Sequence, residues 1–198
     1  KVIKTLCLSI FLGTSIQTFA QTPTETTEKL IPYGDFNSWM VRIIEESFVI
    51  GGNTKTLYEV APVDTIRGAI PYNSSPVSPW RTSNVMAKVS GITKCSISVF
   101  PDKRNDGQCV RLETLMENVK VLGIVNITVL VPGTIYLGEM LEPIKDTKNP
   151  QSKLNAGIPF TESPKAVVLD YKMYIPDVDH RIKATGFSKI VDVPGRDS

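Results

Sequence analysis

This chain has little of what usually carries catalysis or metal binding. Its 198 residues include one His and three Cys. A lone imidazole, His180, disfavours His-based metal or acid–base chemistry, and beside Asp179 it reads as an exposed loop residue. The cysteines form no Cys-x-x-Cys pair, so a thiolate metal site is not expected. No Gly-x-Ser-x-Gly element or comparable Ser or Cys nucleophile motif occurs. Excess charge is also missing. Of the 22 Lys and Arg, two are Lys1 and Lys4, and the remainder balances the 20 Asp and Glu. Nothing in that balance selects nucleic acid or an anionic membrane as a partner. Heptads, repeats of fixed period and helical periodicity are absent, which excludes coiled coils, solenoids and helical bundles.

What the chain does have begins with its N-terminus. Lys1 and Lys4 form a basic region, Leu6 to Ile16 is apolar, and Thr18-Phe19-Ala20 offers small residues to a signal peptidase. The apolar run is too short to span a bilayer, which takes about 20 residues. Residues 1–20 are therefore expected to be a cleaved signal peptide, placing the mature chain in the periplasm or outside the cell. Residues 21–29 read as a disordered polar leader, and 30–198 as one β-domain. There is no Met before Lys1, and the chain stops at a turn after Val193, so a piece of a longer protein is expected.

Fourteen Pro and thirteen Gly punctuate runs rich in Val, Ile and Thr, the composition of strands and turns. Met40 to Ile50 and Thr54 to Val60 read as strands split by Gly51-Gly52-Asn53. Val63 to Ser78 reads as loop. Val85 to Val89, Thr93 to Phe100 and Val110 to Leu115 read as strands, the last two joined by a turn at Asp102 to Gly107. Val119 to Val131 suggests one buried central strand. Pro132-Gly133 suggests a turn returning Thr134 to Leu141 as its hairpin partner. Pro143 to Asn155 is a polar connection, and Arg181 to Val193 a last extended piece. An antiparallel β-sandwich or jelly roll follows. An oxidising compartment permits Cys95 and Cys109 to bond. The hairpin opposes this by setting Cys109 near Val99, about 13 Å along the strand from Cys95.

Gly157 to Pro176, GIPFTESPKAVVLDYKMYIP, is the most informative stretch. From Lys165 to Ile175 it alternates: Val167, Leu169, Tyr171, Met173 and Ile175 share one apolar face, with Asp170, Lys172 and Tyr174 on a wetter one. This predicts a strand with one face in a core. The stretch also resembles the G-x-P-F-x-x-x-P-K-A-x-x-x-D-Y-K pattern of the carbohydrate metabolism domain family known as PCMD, exported β-sandwich proteins of Gram-negative gut bacteria. Gly34 to Trp39 (GDFNSW) resembles that family's opening G-D-F-E-x-W signature, with Asn37 in the place of Glu. Ser78 to Asn84 (SPWRTSN), Arg111 to Leu115 (RLETL) and Tyr136 to Met140 (YLGEM) are similar to later elements in the same order. The resemblance spans Ile31 to Ser198. It implies a galactose-binding-like jelly roll and export, and carbohydrate metabolism by association only.

Three readings of function follow. The first is a glycan-associated binding module, in which aromatic faces stack on sugar and a few polar groups take its hydroxyls. Its candidate contacts are Trp80, Arg81 and Asn84 in a Pro-rich loop, with Asp170, Lys172 and Tyr174 on the wet strand face; for Trp80, packing within the fold is the competing role. The second is a glycoside hydrolase with two carboxylates about 5–9 Å apart. Asp35, Glu59, Glu113, Glu139, Glu142 and Asp170 are its candidates, and no spacing singles out a pair; Glu113 equally suits a surface pair with Arg111 or Lys120. The third is a structural component of a surface glycan-uptake complex. Jelly-roll carbohydrate modules often hold a structural Ca²⁺, for which Asp35 is a candidate ligand; a cap on its own turn is the competing role.

Overall fold

The computed structural model describes residues 28–73, 75–121, 125–145, 153–175, 180–185 and 189–194. Backbone alone is described at 118–121, 125–129 and beyond 175. The expected signal peptide lies outside the described residues, as does the leader up to residue 27. The chain divides into units Lys1–Leu30 and Ile31–Ser198, and everything below concerns the second.

The fold is all-β and almost entirely antiparallel. Strands β1 (Trp39–Glu45) and β2 (Thr54–Val60) form a hairpin in which Trp39 faces Val60 and Glu45 faces Thr54. Gly51 at φ 113° and Gly52 at φ 59° close the turn, a conformation that side chains with a Cβ avoid. The stretch expected to be loop contains β3 (Thr65–Arg67), which runs parallel to β1 at its other edge. Three residues are too few to show a period, so the strand left no mark in the sequence pattern.

β4 (Trp80–Thr82) pairs with β11 (Ile135–Met140), which also pairs with β12 (Leu154–Ala156). Hairpins β5 (Val85–Val89) with β6 (Ile92–Ser96), and β7 (Val99–Arg104) with β8 (Gly107–Leu112), lie between them in sequence. β9 (Thr114–Val121) pairs with β10 (Val125–Pro132), and β13 (His180–Thr185) with β14 (Lys189–Pro194).

Several expectations are corrected. Val119 to Val131 is not one central strand but parts of two hairpin arms, with Val121 opposite Val125. Folding back pairs both arms locally and avoids a strand well beyond the usual 5–6 residues. Thr134 to Leu141 does not return along β10; its partner is β4, with Ile135 opposite Thr82. Arg181 to Val193 likewise folds into a hairpin, and His180 opens a strand instead of sitting in a loop. The β7–β8 turn is tighter than the sequence suggested, so Cys109 faces Asp102 and not Val99. Cys95 and Cys109 are both free thiols.

The largest correction is 165–175. Among the described residues it pairs with no strand, and all of its residues are exposed. Alternation predicts which side chains share a face, but a neighbouring strand must supply the hydrogen bonds, and none of those described does.

The core has two foci on the β1–β2 hairpin. Ile44 and Leu57 pack with Met86 and Cys95, so this end lies against the β5–β6 hairpin. Trp39 and Val60 pack with Val99, flanked by Tyr33, Phe36, Trp80, Val110 and Ile135. Burying each such aliphatic side chain stabilises by about 1.5–3 kcal/mol.

Candidate functional site

Between the two foci, β1 carries a charge inward. Arg42 and Ile44 share the buried face of the strand, as alternation requires, and Arg42 is 1% exposed. Its guanidinium donates from Nη1 to Glu59 Oε1 and to Glu142 Oε1, both at 3.1 Å. Nη2 donates to Glu142 Oε2 at 2.5 Å and to the Ile70 carbonyl at 3.2 Å. Glu142 accepts two more bonds, from the backbone N–H of Tyr72 at 2.9 Å and of Met86 at 2.8 Å. Glu59 takes a further one from the Thr82 hydroxyl at 3.1 Å. The Tyr72 ring lies 5.3 Å from the Arg42 guanidinium and 5.9 Å from that of Arg81, both within cation–π range.

The two carboxylates share Arg42 Nη1, so their nearest oxygens are at most twice 3.1 Å apart. That approaches glycosidase spacing. Access decides the matter instead. The side chains of Glu59 and Glu142 are 4% and 2% exposed, and Arg42 fills the space between them. A general acid must come within hydrogen-bond reach of its substrate; Glu59 is buried, and Glu142, though it lines the depression described below, has both oxygens engaged by Arg42 and two backbone N–H groups. One cation serves two buried acids, with a consequence for Glu59. Burial pushes its carboxyl up to about 7, Arg42 opposing the rise and Glu142 adding to it. The Tyr136 hydroxyl and Arg42 Nε are buried without a partner among the described residues.

Above Glu142 the surface opens into a depression of about 240 Å³ lined by Tyr72, Asn73, Glu139, Met140, Leu141 and Glu142. It falls below the roughly 300–1,000 Å³ typical of pockets for drug-sized ligands. Asn73 and Glu139 are exposed at its rim, whereas Glu142 is held in its floor by four hydrogen bonds.

No family model, curated protein or solved structure matches the chain. The chemistry must therefore be read from the residues.

Of the residues singled out in the sequence, Trp80, Arg81 and Asn84 are brought together; Arg81 and Asn84 face inward, and Trp80 is half-buried. Trp80 packs edge-on to Phe36 at 5.2 Å between ring centroids, and its indole N–H donates to the Pro32 carbonyl at 2.9 Å. Arg81 is 4% exposed; its Nη1 donates to the carbonyls of Ser78, at 2.9 Å, and of Trp80. Asn84 is 2% exposed and uses its whole amide. Nδ2 donates to the carbonyls of Tyr58 and Val99, and Oδ1 accepts from the N–H of Ser98 and Val99, at 2.8–3.0 Å. An amide with four internal bonds has none left for a ligand.

Asp170, Lys172 and Tyr174 lie on the exposed 165–175 segment, and no described contact joins them to the Trp80 region. Asp35 caps its own turn, accepting from Asn37 N at 3.4 Å and from Asn37 Nδ2 at 3.1 Å. Among the described residues no three His, Cys, Asp or Glu converge as a metal site. Glu113 pairs with Arg111, which also reaches Asp102 at 3.3 Å and stacks 4.5 Å over the Phe100 ring.

Arg42 and Tyr72 were missed, and Glu142 was one carboxylate among six. One signal was available: in Val41-Arg42-Ile43-Ile44, the Arg sits on the same face as Ile44. A cation at an inward position requires a buried acid somewhere in the chain.

Proposed function

We propose that this chain is an exported, glycan-associated β-sandwich module of jelly-roll type that binds sugar without cleaving it. Its expected place is the periplasm or cell surface of a Gram-negative bacterium. Export rests on residues 1–20, and the glycan and the jelly roll on the resemblance to the PCMD family. The observation that supports the non-catalytic reading is the Glu59–Arg42–Glu142 cluster: both acids are clamped on one arginine, Glu59 is buried, and the Glu142 oxygens are occupied by Arg42 and two backbone N–H groups. Sugar contact is assigned to the depression beside Tyr72, where the Asn73 amide and the Glu139 carboxylate offer hydrogen bonds to hydroxyls over a fixed floor.

The test is a glycan array followed by calorimetry, with a reducing-sugar assay on each ligand. Asn73→Ala and Glu139→Gln are expected to weaken binding about tenfold each while leaving the melting temperature unchanged, since both residues are exposed. Release of reducing sugar that Glu139→Gln abolishes overturns the reading in favour of a hydrolase. A second reading, a structural component of a surface glycan-uptake complex, is favoured by the exposed 165–175 segment and predicts no binding to any glycan.

A further inference from the structure

Segment 165–175 joins strand-forming sequence to a lack of partners. Val167, Val168, Leu169, Tyr171, Met173 and Ile175 are each two-thirds or more exposed. None of the residues in the segment has a positive φ, so the backbone can extend. Among the described residues its N–H and C=O groups meet no protein partner. Contiguous apolar side chains beside unpaired backbone groups make a template for strand addition.

We propose that this segment pairs antiparallel with the same segment of a second copy of the chain, about a two-fold axis through Tyr171. The sequence fits that register. Val167 faces Ile175, Val168 faces Tyr174, Leu169 faces Met173, Asp170 faces Lys172, and Tyr171 faces its own symmetry mate. Directly opposed residues of an antiparallel pair lie on the same side of the sheet. The apolar side chains of both copies therefore form one continuous face, and the other face carries two Asp170–Lys172 pairs related by symmetry.

Neighbouring registers fail on charge or on face. Centring the axis on Asp170 opposes two carboxylates, and centring it on Lys172 opposes two ammonium groups. An axis falling between residues sets the apolar face of one copy beside the mixed face of the other. A symmetric dimer needs a self-complementary patch, and the Tyr171 register supplies one. The pairing stands apart from sugar binding and does not depend on it. A two-stranded ribbon is marginal in water, so the dissociation constant is expected on the order of tens of micromolar.

Sedimentation of the full chain from about 1 to 200 μM, a range that brackets that constant, reads the association. Asp170→Lys alone and Lys172→Asp alone each turn both charge pairs repulsive, and each is expected to weaken dimerisation about tenfold. The double variant Asp170→Lys/Lys172→Asp restores complementarity and is expected to return to within about threefold of the parent. Both residues are exposed, so the melting temperature serves as the folding control. A chain that stays monomeric throughout overturns the proposal. So does a dimer indifferent to the single reversals, or one that the double variant fails to restore. Hydrogen exchange showing 165–175 protected in the isolated monomer also overturns it, because the segment would then be paired within its own chain.

Discussion

Asn84 ties Tyr58 on β2 to Ser98 and Val99 at the start of β7 with four hydrogen bonds from a side chain that never meets solvent. Removing the amide orphans two N–H groups and two carbonyls. Asn84→Ala is expected to lower stability by about 3 kcal/mol or more, read by urea unfolding. Glu59 makes a prediction of opposite character. Its carboxyl is raised from an ordinary 4.5 to about 7 by burial, so folding favours its protonated form. That contribution is complete below about pH 4.5 and is lost as pH rises through about 7. The stability of Glu59→Gln relative to the parent should therefore increase across that window, because glutamine stays neutral. Unfolding curves at pH 5 and pH 8 check it, and a difference that stays flat refutes it. The sequence offers Trp80 two roles, packing within the fold, which is usual for a Trp, or a sugar platform in a Pro-rich loop. Its ring is wedged against Phe36 with its N–H bonded to Pro32. Trp80 is half-buried, so Trp80→Ala should cost about 1–3 kcal/mol of stability, with glycan affinity unchanged in the folded fraction.

At the scale of elements, local pairing was legible and distant pairing was not. The β1–β2 hairpin was visible because Gly51-Gly52-Asn53 separates two apolar runs. The β7–β8 hairpin was visible through its charged turn, but Thr93 to Phe100, which reads as one strand, is shared between β6 and β7 in separate hairpins. The partner of β11 was not visible, since Pro132-Gly133 signals a turn without saying where the next strand goes. Gly133 shows what that position requires. Its N–H donates to the Glu113 carbonyl at 2.7 Å, and a Cβ there would stand 2.4 Å from the Ser98 carbonyl oxygen and 2.5 Å from Glu113 N. Three backbone segments meet at that point, and only a hydrogen fits. Gly133→Ala should destabilise by several kcal/mol, on the order of other strongly overpacked sites, with loss of the cooperative transition in thermal melts as the readout. The candidate site escaped the sequence for a related reason: Arg42, Glu59 and Glu142 come from β1, β2 and the loop after β11, and no spacing encodes their meeting.

For the whole molecule, the described structure holds two free thiols in contrasting settings. Cys95 is buried, and burial pushes its thiol up to about 12; Cys109 is half-buried. Thiolates, not thiols, react, so native-state alkylation should label Cys109 first and Cys95 only on unfolding, as peptide mass mapping will show. If Cys95 labels at the native rate of Cys109, the packing of β6 against Ile44 and Leu57 is wrong. Among the described residues no helix is long and apolar enough to cross a membrane. The all-β class could be read from Gly, Pro and β-branched residues, because composition reports on strands and turns wherever they lie. The unpaired state of 165–175 could not, since the same alternation would serve a strand joined to its own sheet or to another chain.

The Glu142 carboxylate also orders events in time. It closes on Arg42 across 100 residues of chain, on Tyr72 across 70 and on Met86 across 56. A ribosome adding roughly 5–20 residues per second needs about 5–20 s to travel from residue 42 to residue 142. From the addition of Val60 onward, the β1–β2 hairpin exists as nascent chain with one of its guanidinium's two acids still unmade. The hairpin cannot bury its inner face in native form until Glu142 has been made. Such distant closures make folding slow, and in this chain they hold the committing step back until the segment carrying Glu142 has emerged.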